Sequence, residues 1–430
     1  MLLAVLTYLS ALLSLAPFVR PRDRSAEPLL WLPKLLGGAL SLVAGVVGGL
    51  GALLGLARRD GKLAAAGVLG AGLAARYVAG IPASEGQFDA AFGPGWRERV
   101  PVSLRPLPPL PRWTLRSRAP GAVRFQRNVV FGHRPGNGQA LLVDLWQPSL
   151  NTPPSGLGII FAHGSGWRVG DKDLGTRPFF RRLAGQGHVV LDIAYTLWPQ
   201  ANIPTMVAEV NQAILWLKEN GSAYSVDPER VVLSGGSAGA HLALLAAYTA
   251  NHPAFRPEAG AGDTSVRGVV AFYPPVDFLA IRAQMEERRP GSPGLLGRAG
   301  EAILTWILQP QGRDVKGAIG RRIEYRESMA AMMGGDVDEV PDTYRLLSPA
   351  SHVGPHCPPT LLLQGSDDVF GLAPPLRRFH EALKAAGVPA ILVEFPYTEH
   401  AFDLVLPQIS PAARAAFVDV ERFLALLAQA

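Results

Sequence analysis

The chain has 430 residues, enough for two or three domains; 48% are hydrophobic, only 18% are charged, and the formal net charge is +6. So few charges among so many apolar residues point to a chain partly embedded in a membrane, and the lack of basic clusters interleaved with aromatics argues against nucleic-acid binding. The single cysteine, Cys357, excludes an internal disulfide; between His356 and Pro358 it reads as a small buried residue at the foot of a strand.

The first 82 residues read as a transmembrane helical region of two or three spans. Met1 to Val19 is apolar and has no basic residue ahead of it, as a cleaved secretory signal normally would, so a retained span is expected. Leu35 to Ala57 carries no charge, and as one helix it would be about 35 Å long, enough for a hydrocarbon core of roughly 30 Å. Gly45 and Gly49, then Gly51 and Gly55, have the spacing that lets helices pack closely. Leu63 to Ile81 is interrupted by Arg76; it either spans with Arg76 snorkelling or lies in the interface. Arg20, Arg22, Arg24 and Lys34 fall in the loop after the first segment. With three spans they favour a cytoplasmic C-terminal domain; with two spans that argument changes, and the side stays open.

Residues 83–120 read as a proline-rich connector. Pro101 to Pro111 is expected as a polyproline II spacer, with a ligand for a proline-binding module as the alternative.

From Val123 onward, strands and helices alternate. Strands are expected at Leu141 to Trp146, Leu157 to Ala162, His188 to Ala194, Arg230 to Leu233, Val266 to Phe272, Thr360 to Leu363 and Ile391 to Phe395. Helices are expected at Met206 to Asn220, Ala238 to Ala250, Arg377 to Ala386 and Ala412 to Ala428. Such alternation predicts an α/β fold with a mostly parallel central sheet, whose reactive residues gather at the carboxyl ends of the strands.

Four motifs sit at such ends. His163-Gly164-Ser165-Gly166-Trp167 follows the strand ending at Ala162; its small residues leave N–H groups free for a developing oxyanion, and the amides of Ser165, Gly166 and Ala238 are the expected donors. Gly235-Gly236-Ser237-Ala238-Gly239, between a strand and a helix, has the form of the α/β-hydrolase nucleophile elbow, with Gly235 and Gly239 flanking the serine. Gln364-Gly365-Ser366-Asp367-Asp368 and Glu399-His400-Ala401-Phe402-Asp403 follow later strands, giving the order serine, acid, histidine. The chemistry needs all three: a serine hydroxyl is weak until a base takes its proton, imidazole titrates near neutrality, and a carboxylate fixes the ring's tautomer. Ser237 and His400 are assigned their roles, and Asp368 is chosen as the acid over the alternative Asp367, which would otherwise bond to loop amides or face solvent. His163 reads as bonding within its loop and His241 as packing.

These residues together resemble the hormone-sensitive-lipase-like carboxylesterases and the neighbouring feruloyl-esterase-like, kynurenine-formamidase-like and isoprenylcysteine-methylesterase-like groups. The resemblance runs from about Phe125 to the C-terminus and is strongest in Ser225-Val226-Asp227-Pro228-Glu229-Arg230 through Gly235-Gly236-Ser237-Ala238-Gly239-Ala240-His241-Leu242-Ala243. Leu347-Ser348-Pro349 also fits, whereas Ser165 stands where the family motif has a second glycine. An α/β-hydrolase domain over 121–430 is therefore expected, with a helical cap insertion at about 278–328 carrying Leu304, Trp306, Ile307 and Leu308. The expected function is hydrolysis of a lipophilic carboxylic ester without metal or organic cofactor, by an integral membrane protein whose partners are that ester and the bilayer. An amidase or formamidase, an acyltransferase with the same triad, and an inactive membrane scaffold remain alternatives.

Overall fold

A computed structural model describes residues 1–21, 26–105, 112–115, 121–134, 137–257, 260–287, 299 and 325–429. The N-terminal region contains α1 (Leu2–Leu15), α2 (Glu27–Ala39), α3 (Ser41–Ala57) and α4 (Gly61–Ala79). Helices α1, α3 and α4 pack against one another. Their inner faces are mostly small or polar: Thr7, Ser10, Ala11 and Ser14 in α1, Gly48, Gly51, Ala52 and Gly55 in α3, and Gly67, Gly70 and Ala74 in α4 are buried, beside the larger Leu42, Leu63, Tyr77 and Val78. Their outer faces carry large apolar side chains, including Leu9, Leu12, Leu50, Leu53, Leu56, Val68 and Leu69. This is the reverse of the usual globular distribution. The closest approach is glycine-mediated: a Cβ on Gly55 would stand 2.3 Å from the Ala64 amide nitrogen, and one on Gly51 2.0 Å from Thr7 Oγ1. Gly49 faces open space, so of the four glycines expected to share the seam it is the one that does not.

The uninterrupted helix expected over 35–57 is corrected. Among the described residues no single helix is long and apolar enough to cross a membrane; α2 and α3 together are, but they bend by 75° around Leu40. Apolar composition sets how much chain can enter a bilayer, not whether it is straight. Here Gly37 and Gly38 let α2 come close to its neighbours, for Cβ atoms there would stand 2.4 Å from Leu13 O and 2.6 Å from the Tyr77 hydroxyl. Lys34 is likewise not in a loop but buried inside α2. Arg76 donates to Tyr397 Oη (3.0 Å) rather than standing free along its helix.

The connector is partly helical. Helices α5 (Glu85–Phe92) and α6 (Trp96–Arg99) bury Phe88 and Trp96, and Arg422 donates to Glu85 Oε1 at 2.7 Å. Val102–Leu104 is a 3₁₀ turn where an extended run was expected; most of the proline stretch, 106–111, lies outside the described residues.

The C-terminal region contains β1 (Val123–His133), β2 (Ala140–Pro148), β3 (Gly158–Ala162), β4 (Val189–Ala194), β5 (Val231–Gly236), β6 (Gly268–Phe272), β7 (Thr360–Gly365) and β8 (Ala390–Phe395). They form one sheet in the order β1-β2-β4-β3-β5-β6-β7-β8. Strands β1 and β2, and β2 and β4, pair antiparallel; the remaining pairs are parallel. Side chains alternate across it. Ile159 and Phe161 join α7 (Arg177–Ala184) on one face, while Ile160 and Leu233 join α8 (Ile203–Asn220) and α9 (Ala238–Tyr248) on the other. Helix α10 (Phe278–Glu287) opens the insertion, which closes through α11 (Tyr325–Met333) and α12 (Pro341–Leu346). The expected cap residues Leu304, Trp306, Ile307 and Leu308 lie outside the described residues. Helices α13 (Ala373–Ala385) and α14 (Pro411–Leu427) complete the two outer layers, with Phe379 on the face of α8 and Phe417 on that of α7.

Candidate active site

Strand β5 stops at Gly236 and α9 starts at Ala238, leaving Ser237 alone in the turn at φ 52°, ψ −119°. A side chain rarely adopts this conformation, and it persists only where surroundings enforce it. Here they do: the Ser237 N–H donates to Phe272 O (2.9 Å), and its carbonyl accepts from the His241 N–H (3.0 Å). Helix α9 then passes against the end of β3 so closely that a Cβ on Gly239 would stand 2.0 Å from Ala162 O, and one on Gly235 2.4 Å from the Gly239 carbonyl carbon. Glycine on both sides is what lets the chain reverse there.

Loops after β7 and β8 bring the other two groups. His400 Nε2 lies 2.9 Å from Ser237 Oγ, and His400 Nδ1 lies 2.8 Å from Asp368 Oδ2. The Asp368 side chain is fully buried and that of His400 is 6% exposed, so water screens this contact little. Asp368 also accepts from Gln364 Nε2 (2.9 Å) and the Phe370 N–H (2.8 Å), which fix the carboxylate plane. Asp367 points elsewhere: Arg20 donates to both its oxygens, at 2.9 and 3.3 Å. The imidazole is held between the rings of Tyr273 (4.3 Å) and Phe370 (4.7 Å).

On the other side of Ser237, the loop after β3 runs through left-handed backbone at Ser165 (φ 86°), Gly166 (φ 64°) and Trp167 (φ 61°). A Cβ on Gly164 would stand 2.9 Å from Gly236 O and 3.4 Å from Ser237 Cβ, so this loop lies directly against the elbow. Among the described residues neither the Ser165 nor the Gly166 N–H donates to a backbone carbonyl. His163 stacks on Tyr195 and donates through Nδ1 to Gly164 O (2.9 Å); burial holds its pKa down to about 4, so the ring is neutral. His241, also held near 4 by burial, donates through Nε2 to Leu347 O (2.7 Å) and packs against Trp167 and Phe278. Among the described residues no cluster of three or more His, Cys, Asp or Glu could hold a metal ion.

A family model designated BD-FAE matches residues 143–309, a stretch that contains both the Ser165 loop and Ser237. The chain is 28% identical over 322 residues to the probable carboxylic ester hydrolase LipM of Mycobacterium tuberculosis, covering 72% of this chain and 65% of LipM. The chain is similar to the α/β-hydrolase carboxylesterases. It is also 39% identical over 139 residues to the probable isoprenylcysteine alpha-carbonyl methylesterase ICMEL1 of Oryza sativa subsp. japonica, covering 32% of this chain and 30% of that one. The chain thus spans less than two thirds of the length of either relative. Esterase B from Lactobacillus rhamnosis shares the fold, with a TM-score of 0.50, 21% identity, and 73% and 88% of the two chains covered.

Several residues around this site carried no role in the sequence reading. Tyr273 donates to Asp403 Oδ1 (2.6 Å) beneath the imidazole, and burial raises the Asp403 carboxyl to about 6. Lys34 donates to Glu399 Oε1 (3.0 Å), with both side chains buried, and Trp31 Nε1 donates to His400 O (3.0 Å). Burial raises Glu399 to about 7 against the opposing pull of Lys34. The one signal available for Lys34 was a lone lysine just ahead of an uncharged 23-residue run.

Proposed function

We propose that this chain is a membrane-anchored serine esterase acting on lipophilic carboxylic esters. The observation that carries the reading is the hydrogen-bonded line from Ser237 Oγ through His400 to the Asp368 carboxylate. In this reading Ser237 Oγ attacks the ester carbonyl while His400 Nε2 takes its proton, and Asp368 holds the ring with Nδ1 protonated and stabilises the imidazolium. The oxyanion forms toward the N–H groups of Ser165, Gly166 and Ala238; one such donor contributes about 3 kcal/mol to transition-state stability. His400 then gives its proton to the departing alkoxide, leaving an acyl-enzyme on Ser237. Water, deprotonated by the same imidazole, releases the acid and restores the hydroxyl. The names of the curated relatives, an ester hydrolase and a methylesterase, support an ester over an amide.

Membrane anchoring rests on the inverted bundle of α1, α3 and α4. Mostly small and polar residues fill its seams, and many large apolar side chains face outward. In water that arrangement exposes what the hydrophobic effect drives inward; in lipid it is the ordinary solution. A hydrolase domain packed on such a bundle suits a substrate that partitions into the bilayer.

Two measurements test the reading. Full-length protein should hydrolyse p-nitrophenyl acyl esters and react with a fluorophosphonate at Ser237, and Ser237→Ala should abolish both; hydrolysis surviving that substitution overturns the assignment. The protein should also stay with membranes after alkaline carbonate washing, and its release into the wash overturns the integral anchor.

A further inference from the structure

The residues beside the acid and the histidine are tied to the N-terminal helices rather than to the hydrolase domain alone. Lys34 reaches Glu399, the residue before His400, at 3.0 Å, and the two side chains are 3% and 1% exposed. The other oxygen of Glu399 accepts the N–H of Val369, the residue after Asp368, at 2.9 Å. One carboxylate therefore bridges the two loops that carry the acid and the histidine, and one lysine from outside the hydrolase domain holds it. Three residues earlier on α2, Trp31 donates to the His400 carbonyl at 3.0 Å. An i, i+3 pair shares a helix face, so both contacts come from one side of α2. Arg20 pairs with Asp367, and the Tyr77 hydroxyl lies 3.0 Å from Thr398 Oγ1, so the same region grips both loops at further points.

We propose that Lys34 and Trp31 are positioning residues, through which the N-terminal helices hold His400 in register with Ser237 and Asp368; this rests on reading those three residues as the hydrolytic triad. The physical basis is the penalty for a buried charge without a partner. Deprived of Lys34, the Glu399 carboxylate either takes up a proton or moves toward water. If it moves, it draws the histidine loop with it and releases Val369. A displacement of about 1 Å at such a site lowers a rate on the order of 100-fold. The charges that act on Glu399 are Lys34 from α2 and Asp368 from the acid loop; His400 follows it in the chain, and the Arg20–Asp367 pair, Tyr77 and the Arg76–Tyr397 pair are the other ionisable groups named at this junction. Lys34 favours the ionised carboxylate, while burial and Asp368 oppose it. Without Lys34 the defect is therefore largest at high pH, where Glu399 is charged and unpaired, and shrinks as the pH falls and the carboxyl becomes neutral.

The test uses full-length protein in lipid, with the rate of fluorophosphonate labelling at Ser237 and separate kcat and KM values from pH 5.5 to 9. Lys34→Met is expected to lose about 10- to 100-fold in kcat and in labelling rate at pH 8.5 with KM little changed, and its ratio to wild type should rise toward pH 6. Lys34→Arg, which keeps the charge, should recover most of the loss. The pair Lys34→Met with Glu399→Gln should recover it at every pH, because a neutral amide still accepts the Val369 N–H. A folded Lys34→Met that labels within twofold of wild type across the whole range overturns the proposal. If Lys34→Met does not fold, Trp31→Phe decides: a labelling rate lowered at least threefold supports the proposal, and an unchanged rate overturns it. Wild-type protein that resists the probe overturns the triad reading and this proposal with it, whereas labelled wild type with unaffected variants removes the positioning role alone.

Discussion

Asp368 Oδ2 receives both His400 Nδ1, at 2.8 Å, and Gln364 Nε2, at 2.9 Å, while its neighbour Asp367 turns outward to Arg20. Two adjacent carboxylates in one loop thus have separate tasks. Asp368→Asn can present its amide to His400 and so stabilise the wrong tautomer. It should lower kcat by about 10³- to 10⁴-fold, whereas Asp367→Asn should lose less than tenfold. Steady-state hydrolysis of a p-nitrophenyl ester separates the two.

The elbow offers a stability prediction. A Cβ on Gly239 would meet the Ala162 carbonyl oxygen at 2.0 Å, and both partners are backbone, so neither can move aside cheaply. Gly239→Ala should destabilise the hydrolase domain by about 3 kcal/mol or more and abolish labelling of Ser237. Thermal unfolding of the purified variant measures it; an unchanged midpoint contradicts the packing described above.

In the N-terminal bundle the prediction discriminates between two glycines of one helix. Gly55 abuts the Ala64 amide, whereas Gly49 meets nothing within 4 Å. Gly55→Leu should separate α3 from α4 and lower the unfolding midpoint in detergent by several degrees. Gly49→Leu should leave it unchanged or raise it, since glycine inside a helix is itself unfavourable by about 1 kcal/mol. The reverse order contradicts the helix seam.

Asp403 makes stability depend on pH. Its carboxyl is raised from the ordinary 3.8 to about 6, first of all by burial, while the hydrogen bond from Tyr273 acts in the opposite direction. Between those two values the folded chain binds a proton that the unfolded chain does not. The stabilisation is fully present below pH 4 and is lost as the pH rises through 6. Asp403→Asn removes this dependence, and its amide oxygen still accepts from Tyr273. Relative to wild type, the variant should gain up to about 3 kcal/mol at pH 8, about 1 kcal/mol at pH 4.5 and nothing at pH 2.5, measured by denaturant unfolding at the three pH values.

Much of the fold was legible because its signals are local. A β-branched run reads as a buried strand wherever it falls, and the seven strands expected from sequence differ from those in the sheet by a few residues at their ends. The added edge strand Val123–His133 was less visible because it is largely exposed and its one apolar run, Val129-Val130-Phe131, is only three residues long. The bend around Leu40 was invisible for a different reason. Residues 35–57 carry no charge to mark a break, and the groups that α2 bonds on its far side, Glu399 and His400, lie hundreds of positions later.

The site divides in the same way. Ser237, the Ser165 loop and the His400 motif announce themselves because each is a short pattern at the end of a strand, and a turn that tight admits few residue types. Roles that depend on what lies across a contact carry no such pattern. Lys34 had the appearance of a loop cation, Glu399 of a motif neighbour, and Asp367 of an alternative to Asp368. The order of Ser237, Asp368 and His400 along the chain, and the mostly parallel sheet that carries them, follow from the amino-acid sequence alone, since both are written in contiguous residues. Which carboxylate meets the imidazole, and which lysine holds the histidine loop, were decided only by the folded chain, because a buried charge takes its identity from the group that folding sets opposite it.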